Sequence, residues 1–228
     1  MIRIDGGLVV TMDAAGTVVE GGCVEVEGDR ILKVGAGPDG RDAAETVDAR
    51  GLVVVPGLVN THCHLSQQLA RGLADDVDLL TWLHERIWPY EAALAEEDVE
   101  TSALACALEQ IRNGVTLVAD PGGRHVGGAA RGIELAGIRA LLGRSTMDEW
   151  EGVPAARRET TEAALVVQDE LAARWHGAAG GRLRFSYTLR TIFNCSDALI
   201  EASVARAREL GTVVQMHVAE IPAENEHV

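Results

Sequence analysis

The chain has 228 residues, 47% of them apolar, enough to bury the core of one large domain or of a small domain beside a larger one. Its 20 Lys plus Arg stand against 35 Asp plus Glu, a formal charge of -15 that opposes nucleic-acid phosphate and the anionic face of a membrane, so neither is an expected partner. The opening Met-Ile-Arg-Ile-Asp-Gly-Gly lacks the basic head, apolar stretch and cleavage site of an export signal, and no later apolar run is long enough to span a bilayer; a cytoplasmic protein is expected.

Residues 1–55 read as a small β domain built of short runs punctuated by glycine: 7–12, 23–26, 30–34 and 52–55. Val24-Glu25-Val26-Glu27 alternates apolar and charged residues, and Gly28-Asp29 turns it into Arg30-Ile31-Leu32, the pattern of a hairpin with one wet face.

Residues 56–228 change rhythm, with long helical segments alternating with short apolar strands. A helix over 94–113 ends at Gly114 and leads to a strand at 115–120. A helix over 129–136, stopped by Gly137, precedes a strand at 138–142; a long helix over 155–174 precedes a strand at 183–187. A helix over 196–210, with Ser196 and Asp197 near its N-cap, runs through Gly211 to a strand at 212–217. Such strand and helix units make a parallel sheet, either open and doubly wound or closed into an eight-stranded barrel, and periodicity alone does not choose. About five strands are present where a closed barrel needs eight, so the chain is expected to stop inside a domain.

Two segments carry chemistry. In Pro56-Gly57-Leu58-Val59-Asn60-Thr61-His62-Cys63-His64, strand alternation would put His62 and His64 on one face and turn Cys63 away. Paired imidazoles suit zinc, with iron(II) as the alternative, and the C-terminal end of a barrel strand is where such a site belongs. In Val213-Val214-Gln215-Met216-His217-Val218-Ala219-Glu220, a second apolar strand delivers His217, and Glu220 follows in the loop. A carboxylate beside an activated water, but not itself a metal ligand, can take the water's proton and return it to a departing ammonia or amine, as hydrolysis of a carbon–nitrogen bond requires.

Taken together, these motifs and the β-rich leader resemble the amidohydrolase superfamily, in the branch of guanine- and adenosine-type deaminases and triazine hydrolases. The resemblance covers essentially the whole chain. It implies a partial (β/α)8 TIM-type barrel preceded by a β-sandwich-like domain, with the paired histidines after the first barrel strand and His217 after the fifth. It also implies a further histidine after the sixth strand and an aspartate after the eighth. The chain ends at Val228 before either, so the expectation is an N-terminal half with little or no turnover by itself.

Substrate clues come from the same resemblance. Gln67 matches a glutamine placed against ring substituents, and its amide can donate and accept at once. The segment 81–91 resembles a helix and turn covering a heterocyclic substrate, with Glu91 where adenosine-type deaminases bind ribose and Trp88 able either to stack on a flat ring or to pack in the core. Arg144 resembles an arginine near the substrate tail. Arg190 stands where many adenosine-type members carry a Pro-His-Ser pattern, and it favours a substrate oxygen or acid.

The function expected is hydrolytic deamination of an aminopurine-like or related heterocycle. Triazine-type dechlorination, cyclic amide hydrolysis and a non-catalytic metal-binding fragment are the alternatives, and a homo-oligomer is compatible with all of them. His84, His125 and His176 have no partner at ligand spacing and are assigned to surface or packing. The segment 122–128 is glycine-rich but lacks phosphate-loop and dinucleotide fingerprints, and is expected to be a loop above the barrel. The four cysteines, scattered without a Cys-x-x-Cys pair, are expected to be reduced and to act as small buried hydrophobes.

Overall fold

The computed structural model describes residues 1–149 and 158–227, in two compact units, Met1–Gly57 and Leu58–Val228. In the first unit, strands β1 (Ile2–Val10), β2 (Val18–Glu27) and β3 (Arg30–Ala36) form an antiparallel meander, and β4 (Glu45–Asp48) and the short β5 (Val53–Val54) pair in parallel with β1. Gly28 makes the β2–β3 turn possible: its φ of 59° at the first central position is the conformation that favours glycine in a two-residue hairpin.

The expected wet face of β2 is observed at Glu27, which is exposed, but not at Glu25. Glu25 is fully buried, with its Oε1 accepting from Arg3 Nε at 3.0 Å and Nη2 at 2.9 Å. The paired guanidinium offsets the cost of burying that carboxylate. Strand β4, too polar for a periodicity argument, was not anticipated.

The second unit settles the choice left open by periodicity. Five strands, β6 (Leu58–Asn60), β7 (Val115–Asp120), β8 (Arg139–Gly143), β9 (Leu183–Thr191) and β10 (Val214–His217), lie side by side in sequence order, all parallel. A doubly wound sheet reverses its strand order at a switch point; an unbroken order is that of a barrel wall. Helices α3 (Glu96–Arg112), α4 (Val126–Ala136), α5 (Thr161–Trp175) and α6 (Asp197–Leu210) return the chain between successive strands. The expected helix start at 155–157 lies outside the described residues.

Local chemistry sets the helix ends. Ser196 Oγ accepts the Leu199 N–H at 3.2 Å to cap α6, and Gly137 (φ 82°) and Gly211 (φ 70°) close α4 and α6 in the left-handed conformation. The glycine-rich segment is only partly a loop. Gly127 and Gly128 form the first turn of α4, and a Cβ on Gly128 would lie 2.3 Å from the Glu96 carbonyl oxygen, so glycine is what lets α3 and α4 approach so closely. A core including Ala103, Ala107, Val118, Ile133, Leu142 and Phe185 fills the space between these helices and the sheet. A second core gathers Leu83, Trp88, Met147, Leu165, Leu189 and Leu199 around β9. Between β6 and α3 run a 3-10 turn at Leu65–Ala70 and the abutting helical pieces α1 (Leu79–Thr81), a π-turn at Trp82–Ile87 and α2 (Trp88–Ala93). Among the described residues, no helix is long and apolar enough to cross a membrane.

Candidate metal and substrate site

His62, His64 and His217 converge: one ring nitrogen from each lies within 4.8 Å of the others, and the ring centroids are 5.0–5.3 Å apart. Strand alternation is not what brings the first two together. Regular pairing of β6 stops at Asn60, whose Oδ1 accepts the His62 N–H at 3.2 Å and starts an Asx-type turn. The residue after His62, Cys63, is held by its N–H on the Ala119 carbonyl at 2.9 Å, and His64 is the residue preceding the 3-10 turn.

His217 arrives by a different route. The β9–β10 register slips between Met216 and His217, which pair with Leu189 and Thr191, leaving Arg190 as an extra residue on β9. A bulge of this kind re-aims its residue. The Arg190 carbonyl accepts from His217 Nδ1 at 2.7 Å, and because a carbonyl can only accept, the proton must sit on Nδ1. His217 Nε2 therefore carries a lone pair, and it lies 3.2 Å from His64 Nε2. Burial first, then the neighbouring His217, Arg190 and His62, pushes the pKa of His64 down to about 3; burial likewise lowers that of His217. Neutral imidazoles with converging lone pairs are the donor set that a zinc-like cation requires, and the buried His64 Nδ1, without a partner among the described residues, leaves Nε2 as its engaged nitrogen.

A cavity of about 210 Å³ opens on these rings, lined also by Gln67, Trp82, Leu83, Arg190, Thr191 and Glu220. Glu91 is buried behind it: its Oε1 accepts from Gln67 Nε2 at 3.1 Å and lies 3.9 Å from Arg190 Nη1. A carboxylate cannot donate, so this contact fixes the Gln67 amide with its nitrogen toward Glu91. Arg190 Nη1 also reaches Ser145 Oγ at 3.4 Å.

Two expected substrate contacts lie elsewhere. Trp88 is 3% exposed within the second core and stacks on His84 at 4.7 Å, so the indole on the cavity wall is Trp82, one helical turn and a half earlier. Arg144 lines a separate cavity of about 230 Å³ with Arg124, His125, Ser145, Met147 and Val167, and is ion-paired with Glu159, Nη1 to Oε2 at 2.9 Å. His125 is occupied by the Leu94 carbonyl at 3.0 Å, and His176 Nδ1 accepts the Phe185 N–H at 3.3 Å.

Sequence reasoning missed Asp120. Fully buried at the end of β7, it accepts the Gly122 N–H at 2.9 Å and the Leu65 N–H at 3.4 Å, so it clamps the backbone immediately after His64. Burial pushes its pKa up to about 7 against those two hydrogen bonds. A carboxylate closing an apolar strand, just before Pro-Gly, is the signal that could have found it.

The chain is 37% identical over 224 residues to a 5'-deoxyadenosine deaminase of Methanosarcina mazei, an alignment covering 98% of this chain and 50% of the relative. It is 38% identical over 223 residues to a 5-methylthioadenosine/S-adenosylhomocysteine deaminase of Natronomonas pharaonis, covering 98% and 49%. It thus spans about half the length of the curated relatives it matches. Among solved structures, an adenosine deaminase from Xanthomonas campestris with bound zinc superposes with a TM-score of 0.85 at 29% identity, covering 99% of this chain and 51% of that one. An atrazine chlorohydrolase from Arthrobacter aurescens TC1, complexed with zinc, shares the fold with a TM-score of 0.89 at 24% identity, covering 100% and 55%. The amidohydrolase family model matches residues 53–228, across the whole parallel sheet and the three converging histidines, and the chain belongs to that family.

Proposed function

We propose that this chain supplies the first half of the active site of a metal-dependent hydrolase that deaminates an adenosine-like aminoheterocycle. The observation that carries this reading is the convergence of three imidazoles on one cavity that Glu220 also lines. The named relatives, deaminases of 5'-deoxyadenosine and methylthioadenosine, support the substrate class.

In this reading His62, His64 and His217 would hold the ion, and the zinc bound in two of the similar solved structures favours zinc over iron(II). When bound, the ion supplies Lewis acidity that makes water a competent nucleophile near neutral pH. The Arg190 carbonyl keeps His217 in the tautomer that presents Nε2. Glu220, on the cavity wall, receives the proton of the attacking water and hands it to the departing amine, which leaves as ammonia. Gln67, oriented by Glu91, and Arg190 bind the polar edge of the ring, while Trp82 and Leu83 cover its apolar face.

The test uses the protein expressed from its complete reading frame, purified without chelator. About one zinc per chain and ammonia release from 5'-deoxyadenosine or methylthioadenosine are expected. A metal-free protein, or a metal-loaded one that releases no ammonia from any aminopurine nucleoside, overturns the reading.

A further inference from the structure

Cys63 and Cys106 are 43 residues apart in the chain, yet their sulfurs meet at 3.4 Å. One face of α3 is laced to the segment that carries His62 and His64. Along that face, Ser102 Oγ donates to the Leu65 carbonyl at 2.8 Å and accepts the Gln68 N–H at 3.1 Å, and Gln110 Oε1 accepts from Asn60 Nδ2 at 3.1 Å. Cys106 lies midway between Ser102 and Gln110, four residues from each, and positions four apart share a helix face. Hydrogen bonds on both sides thus hold the two thiols against each other, which raises their effective concentration well above that of a chance encounter. Cys106 is buried and Cys63 half-buried, while Cys23 and Cys195 sit in other parts of the fold.

We propose that Cys63 and Cys106 are a modification site, a dithiol that hydrogen peroxide converts to a disulfide. One thiolate attacks a peroxide oxygen; the S–O bond forms as the O–O bond breaks, and the departing hydroxide takes up the thiol's proton as water. The second sulfur then attacks the sulfenic sulfur, the S–S bond forms, the S–O bond breaks, and a second water leaves with the remaining thiol proton. Two thiols are oxidised by two electrons in all, and one peroxide is reduced to two waters.

Closing the pair to a disulfide length of about 2.05 Å moves the sulfurs together by more than about 1 Å. Cys63 has His62 and His64 as its immediate neighbours, so closure draws that turn toward α3 and disturbs its register with His217. The disulfide stands on the sulfur geometry alone; its effect on the histidines rests on the metal-site reading above.

The test treats the reduced, metal-free chain with a small excess of hydrogen peroxide and reads intact mass and a non-reducing peptide map. The expected result is loss of two hydrogens and a cross-linked peptide joining Cys63 to Cys106, reversed by dithiothreitol. The product should be absent from Cys63→Ser and retained in a Cys23→Ser, Cys195→Ser double variant. Oxygen addition to separate cysteines without a cross-link, or the same loss in Cys63→Ser, overturns the proposal. Thermal unfolding checks that each variant is folded, and Cys63→Ser, at the half-buried partner, carries the control if Cys106→Ser is not. Cobalt(II) titration then reads the coupling: about tenfold weaker binding after oxidation is expected, and equal binding of both forms refutes the coupling. A reduced chain that binds no cobalt counts against the metal-site reading and leaves the disulfide result as it stands.

Discussion

The two ends of the parallel sheet deliver histidines to one cavity by different means. At the β6 end, two histidines sit in an irregular turn whose shape is imposed from outside, by the laced face of α3 and by the Asp120 clamp on Leu65. At the β10 end, a single histidine closes a regular strand and is aimed by a bulge in its neighbour β9. The first arrangement depends on tertiary packing, whereas the second is built into strand pairing. Perturbations of packing should therefore be felt at His62 and His64 before they reach His217.

The largest effect expected is from removing donors. His62→Ala with His64→Ala takes away two of the three imidazoles and should abolish metal binding, whereas His217→Ala should leave residual binding weaker by several orders of magnitude; elemental analysis and cobalt titration separate the two. Next, Trp88→Ala empties part of the core behind β9 and should cost about 3–5 kcal/mol of stability. Trp82→Ala, on the cavity wall, should cost far less in denaturant unfolding while weakening ligand binding. Gly132→Ala introduces a Cβ 2.6 Å from the Glu100 carbonyl oxygen and forces α3 away from α4, at about 1–3 kcal/mol. If the β6 end depends on α3 as argued, this variant should also weaken cobalt binding, and unchanged affinity would break the comparison.

The last expected effect is a pH dependence at Asp120. Its folded pKa of about 7 lies above the ordinary carboxylate value, so the folded state holds the proton more tightly than the unfolded chain. The stability this contributes is complete below about pH 4 and is lost as pH rises through about 7. Asp120→Asn cannot titrate, so the difference in unfolding free energy between parent and variant should shift against the parent across that window by up to a few kcal/mol. A pH-independent difference would remove the buried carboxylic acid from the account of the turn.

What could be read from the chain alone follows the same division. Strand-end histidines, apolar runs and glycine stops are local, and β7, α6 and the positions of His62, His64, His217 and Glu220 were legible from them. Features that depend on residues far apart in sequence were not. The burial of Glu25 needs Arg3, the lacing of Cys63 needs α3, and the bulge at Arg190 appears only when β9 meets β10. Trp82 and Trp88 illustrate the limit most sharply. Both are tryptophans in one helical stretch, and only packing against the β9 core decides which of them is buried away from the cavity.

The bulge at Arg190 also separates two tasks that a regular strand would have tied together. Orientation of His217 comes from a main-chain carbonyl, which every amino acid possesses, while the charge presented to the cavity comes from the side chain. Being surplus to the ladder with β10, the residue can be exchanged without shifting strand register. If the cavity binds substrate as proposed, a single codon change there would alter which molecules are accepted and leave the imidazole in place, and position 190 would be an entry point for divergence and for laboratory retargeting of this scaffold.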